Sequence, residues 1–219
     1  LEEWLVGHDY NLKPLIREIM LSDTDQRSCV LPDGVNELPD DAFAVASLRG
    51  LSPEQLSWSL LQATGRIEQH FSQLEEKHKA AAATPEAEEP AWKTRTQQLE
   101  PFERQTRTLV PVFAGLPGQP DGDFQPIVDQ ALYLLNSPTM LPLLHDEPGT
   151  LLKRLTAISE AESLAEELYL SILSRRPSVD EIAQVRELVE LTKLPAERRE
   201  SLTALIWGLL LSSEFRLNH

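Results

Sequence analysis

The last third of the chain confines it to a helical fold. Leu164, Leu168 and Ile172 recur every four residues, and Tyr169 and Leu173 widen their stripe. A second stripe runs through Ile182, Val185, Leu188 and Val189, and a third through Leu202, Leu205, Ile206, Leu209 and Leu210 with Trp207 beside it. Apolar residues at these intervals gather on one side of a helix, whereas a half-buried strand needs strict alternation. The punctuation agrees. Arg175-Arg176-Pro177 closes the first helix with cations at its negative end. Ser178-Val179-Asp180-Glu181 has capping-box spacing, and Pro195 suits the first turn of the third helix. No convincing strand pattern and no internal repeat competes, so the sequence predicts an all-α chain.

Upstream the helical signals are shorter. Leu12, Leu15, Ile16, Ile19 and Met20 predict a first helix, with Pro14 tolerated in its first turn. Residues 22–51 lose periodicity and read as a long loop, packed along the surface through Phe43, Val45 and Leu48. Ser52-Pro53-Glu54-Gln55 is a strong helix start, followed by Leu56, Leu60 and Leu61 on one face, with a break at Gly65. Residues 66–112 are rich in Glu, Gln, Lys, Arg and Ala. They read as an antiparallel hairpin of two helices hinged at Ala80–Pro90. A Gly/Pro-rich loop over 115–123 precedes a helix expected to be buried through Ile127, Val128, Ala131, Leu132 and Leu135, which Asn136-Ser137-Pro138 ends. Two short helical pieces are expected around 141–144 and 151–155. The expected architecture is therefore an irregular multi-helix bundle with a long N-terminal loop and a protruding helical hairpin. Residues 1–65 form the N-terminal helices and loop at a truncated domain start, 66–112 the hairpin insert, and 113–219 the C-terminal bundle, together making one domain.

Composition narrows the function. With 41% hydrophobic and 25% charged residues the chain is able to bury a core. A net charge of −15 repels phosphate, which argues against nucleic-acid binding and against anionic lipid. The longest apolar run, Leu205–Leu211, is too short to span a bilayer. The one cysteine, Cys29, forms no internal disulfide and builds no cysteine-rich zinc cage; it is expected to be inert, as nothing nearby secures a lowered pKa. That cysteine usage fits a cytoplasmic protein or an exported one that does without disulfides. The opening Leu-Glu-Glu-Trp reads as the middle of something longer, so the chain is expected to be a fragment.

Catalytic signatures are lacking. The glycines near 115–122 are interrupted by prolines and make no phosphate cradle, and neither a Gly-x-Ser-x-Gly elbow nor a His-Glu-x-x-His helix occurs. His70 and His78 stand about 12 Å apart along a helix, too far to share a metal, and read as surface residues. His145-Asp146-Glu147 sits in a turn where adjacent side chains rarely converge on an ion. Glu166 and Glu167 read as outer-face residues rather than an acid/base pair, and Arg175-Arg176 as helix-end cations rather than an anion grip. His8-Asp9 is either an acid/base pair with a distant partner or a helix-start position where Asp9 or Asn11 caps. No cofactor or metal is expected. The one ligand-binding or catalytic reading left is a half-site of His8, Asp9, Arg17 and Arg27, completed by a missing upstream region.

Several segments together carry a family likeness. They are Leu15-Ile16-Arg17-Glu18-Ile19-Met20-Leu21-Ser22 with Gln26-Arg27-Ser28, Leu51–Leu56, Gln130–Ser137, Glu166–Leu170 running to Arg175-Arg176-Pro177, and Trp207–His219 with its closing Ser-Glu-Phe-x-x-Asn-His. The chain thereby resembles the planctomycete-type domain of unknown function 1553, over most of its length apart from 66–112. The resemblance implies the C-terminal domain of a large exported protein, following a sister domain of unknown function 1549 and often a cytochrome c-like domain. It implies no catalytic residues, and no haem-attaching Cys-x-x-Cys-His occurs here. The expected role is a structural or protein-interaction module that packs against the upstream domain of the same polypeptide, with other exported proteins as further partners. A scaffold in a polysaccharide-handling or electron-transfer complex rests on family context alone.

Overall fold

The computed structural model of the chain describes residues 2–29, 31, 34–35, 39, 44–46, 49–81, 91–113, 128–192 and 194–218. Among these residues the structure is helical throughout, apart from turns and one pair of two-residue strands, β1 (Arg49–Gly50) and β2 (Leu217–Asn218). The chain divides into two compact units, Leu1–Arg49 with Asn218–His219, and Gly50–Leu217.

The N-terminal unit holds α1 (Glu2–Gly7) and α2 (Leu12–Met20). The sequence reading missed α1, whose six residues are too few to establish a period. Its end is closed by the Tyr10 amide donating to Leu5 O, and the His8–Tyr10 turn leads into α2. Asn11, not Asp9, caps α2: its side chain accepts from the Lys13 amide, satisfying one of the helix's orphan donors. Beyond Leu21 the backbone turns over Ser22–Gln26, held by the Ser22 hydroxyl on Ile19 O and by the Gln26 amide group on Met20 O. Val45 is half-buried, as the loop reading expects, while Phe43 and Leu48 lie outside the described residues.

The larger unit opens with α3 (Pro53–Ala63), where Ser52 and Gln55 complete the predicted capping box. Leu56, Leu60 and Leu61, which the spacing placed on one face, are buried, together with Ser57 and Ala63. Gly65 then breaks the helix at φ +76°, a left-handed conformation that favours glycine. A Cβ at this position would lie 2.7 Å from the Gly149 carbonyl oxygen, so the two turns are in backbone contact here. The Leu151 amide donates to Thr64 O at 2.9 Å across the same junction.

Helices α4 (Arg66–Ala81) and α5 (Ala91–Phe113) occupy the segment read as a hairpin; the hinge between them lies outside the described residues. The second helix is more deeply anchored than a solvated hairpin arm. Phe102, Thr106 and Leu109 are buried, α5 packs extensively on α3, and Ser57 and Thr106 share a buried hydrogen bond of 2.9 Å.

Helix α6 (Val128–Asn136) corrects an expectation. Leu134 is fully buried and Gln130 nearly so, whereas Val128, Leu132 and Leu135, read as core, face solvent. The helix is thus turned away from its most apolar side, and Gln130 finds a buried partner in Arg216. The Gly/Pro-rich loop at 115–123, and Ile127, lie outside the described residues.

A 3-10 turn at Leu141–Leu144 and α7 (Leu151–Ala157) match the two short pieces expected. Thr150 caps α7 while its hydroxyl also donates to carbonyls of the preceding turn, which explains why a fully buried threonine is tolerated there. Helix α8 (Ala161–Leu173) lies at the centre, against α7, α9 (Val179–Leu191), α10 (Pro195–Leu210) and the short α11 (Ser213–Arg216). All five of its predicted core residues, Leu164, Leu168, Tyr169, Ile172 and Leu173, are buried. Each such leucine contributes roughly 1.5–3 kcal/mol of hydrophobic stabilisation. In α10, Leu202, Ile206 and Leu210 are buried, and Leu205, Trp207 and Leu209 pack partly against them.

Candidate interaction surface and polar clusters

The four residues of the expected half-site all belong to the N-terminal unit. His8 is exposed; its ring stacks on Trp4 at 3.8 Å, and its Nδ1 donates to Trp4 O at 2.8 Å. Asp9 is exposed and left-handed at φ 49°, as is the following Tyr10 at φ 57°. Arg17 stands exposed on α2, and Arg27 is half-buried beyond the Ser22–Gln26 turn. Among the described residues, no hydrogen bond or ion pair joins these four to one another.

The same unit carries a surface that the sequence pattern did not reveal. Leu12, Ile16, Ile19 and Met20 lie along one face of α2 at helical spacing, with Leu15 at its edge. They are 59%, 56%, 49% and 55% exposed, and α2 has no buried residue. A helix this strongly amphipathic ordinarily hides such a face. Lys13 and Arg17 follow its apolar residues in sequence, giving this short helix two cations in an otherwise acidic chain.

In the larger unit several charged groups pair with one another. Arg175 donates to Glu181 through Nη1 and Nη2, both at 2.8 Å, and to Glu214 through Nε and the shared Nη2. Its guanidinium also lies over the Tyr169 ring, 5.3 Å from the centroid. Hydrogen bonds from Arg175 hold the Glu181 carboxyl down to about 2, and the two carboxylates in turn raise the Arg175 pKa. This replaces the reading of Arg175 as a helix-end cation. The α8 C-cap is a left-handed Ser174, and Arg175 ties α8 to the starts of α9 and α11. Its charge is already matched by two carboxylates, so it offers no grip for a further anion.

Glu166 and Glu167 do not form a carboxylate pair. Glu166 is exposed and lies 3.4 Å from Arg176, whereas Glu167 accepts from Arg154 at 2.8 Å and links α8 to α7. Arg154 also donates to Gly149 O and faces Glu68. Beside it, Glu147 accepts from Gln69 and from Arg66, both at 2.8 Å, and these bonds lower its pKa. The His145 ring stands 3.6 Å from the same carboxylate. These contacts brace the Gly65–Gly149 junction, and the Ser171 hydroxyl joins them by donating to Glu167 at 3.3 Å. His70, read as a surface residue, is half-buried instead: it hydrogen-bonds Gln98 O and meets the Phe102 ring edge-on.

Among the described residues the most enclosed cation is Arg216. It is 7% exposed, donates to Gln130 Oε1 at 2.8 Å and lies over the Phe113 ring, and burial lowers its pKa. No sequence spacing announces this contact, because Gln130 and Arg216 are far apart along the chain. Among the described residues, no group of three or more His, Cys, Asp or Glu side chains is placed to hold a metal ion, and no helix is long and apolar enough to cross a membrane.

No curated protein and no solved structure matches the chain. The family model described as PSD1, protein of unknown function (DUF1553), matches residues 1–189. The match covers residues 1–49 of the N-terminal unit, runs through α4 and α5, which the resembling segments left out, and continues into α9; it stops before the closing Ser212–His219 segment that carries part of the resemblance. With the greater part of its length so matched, the chain belongs to the PSD1 family of proteins of unknown function, DUF1553.

Proposed function

We propose that this chain is a structural or protein-interaction module of a larger polypeptide, and that the apolar face of α2 is its contact surface. One observation carries the reading: four large apolar side chains on one helix face, each about half exposed, with no buried residue on that helix. Covering them contributes on the order of 1 kcal/mol apiece. That total is small against the roughly 4–15 kcal/mol lost when two free molecules associate. It suits a partner already tethered nearby, for which linkage replaces most of that cost with a high effective concentration. An upstream domain of the same polypeptide meets that condition, and we propose it as the partner. An exported location, with other exported proteins as further partners, belongs to the same proposal and rests on the family resemblance.

Titration calorimetry of the separately produced upstream region against this chain tests it. The wild type is expected to bind, and Ile16→Glu with Ile19→Glu to weaken binding at least about tenfold, the equivalent of 1.4 kcal/mol. A double variant that binds like the wild type sinks the proposal.

A second reading, a ligand-binding or catalytic half-site at His8, Asp9, Arg17 and Arg27, draws on the two consecutive left-handed residues beside His8. Tyrosine adopts that conformation at an energetic cost, and such strain gathers at functional sites. Alanine at His8 or at Arg27 in the intact protein is then expected to abolish ligand binding or turnover, and full function in both variants removes the reading.

A further inference from the structure

We draw no further inference here: the strongest candidate, the exposed stripe of Val128, Leu132 and Leu135 along α6, is an unpartnered apolar helix face, and nothing in the structure shows what covers it.

Discussion

Helices α2 and α8 carry the same kind of pattern and meet opposite fates. Both place leucines and isoleucines at three- and four-residue spacing. In α8 six residues are buried, and the helix is packed by α7, α9, α10 and α11; in α2 none is buried. The period of a sequence therefore says that a helix has an apolar side, and the apolar side says that burial is favourable. Neither says what supplies the cover. In α8 the cover comes from neighbouring helices of the same unit, before and after it in sequence. In α2 the apolar residues stay about half exposed among the described residues, and that exposure is the physical content of the interaction-module proposal.

The contrast is open to direct attack by mutation. The largest effect is expected at the centre of α8: Leu168→Ala removes a fully buried side chain and should lower stability by about 2–5 kcal/mol in urea unfolding. Next is Gly65→Ala. The new methyl must adopt a left-handed backbone and meets the Gly149 carbonyl, so a loss of about 2 kcal/mol or more is expected in the same assay. An unchanged midpoint there means that the junction relaxes freely and does not anchor the larger unit.

The Arg175 cluster gives a pH-dependent version of the test. Glu181 is held in the folded state at about 2, below its ordinary value of 4.5. Its contribution is therefore fully present above about pH 4.5 and is lost as the pH falls toward 2. Unfolding midpoints between pH 7 and pH 3 should drop, and Glu181→Gln should flatten that drop while lowering stability at pH 7 by roughly 1–3 kcal/mol. An equally steep decline in the variant assigns the acid sensitivity elsewhere.

Smaller again is Ser178→Ala, which removes the α9 cap and should cost about 1 kcal/mol. Smallest is Ile16→Ala, expected to change the stability of the isolated chain by no more than about 0.5 kcal/mol. A penalty there as large as that of Leu168→Ala means that the α2 face is covered within this chain, and the comparison between the two helices collapses.

Much of the fold was legible because its signals are local. Ser52 with Gln55 and Ser178 with Glu181 announce helix starts through bonds that span three residues. The core of α8 was legible because its stripe is wide enough to admit one orientation only. The α6 face was misread because its burial depends on Gln130 meeting Arg216, a contact between residues 86 apart. His70 was misread for the same reason, since Gln98 and Phe102 belong to the next helix. The polar cluster that joins Arg66, Gln69 and Glu147 could not be read at all, as its members belong to segments separated by the whole of α5 and α6. The likeness to the family was read from short segments, and the matched range 1–189 makes it a property of most of the chain.

By itself the sequence determined that this protein is helical, where its principal helices start and to which family it belongs. Helix periodicity and capping act over three to eight residues, so they are written wherever those residues are written. The tertiary structure alone decided which apolar faces find partners, which charges neutralise one another and which apolar faces of the described residues stay exposed. Those outcomes depend on contacts between distant segments, whose free energies arise only when the chain brings them together.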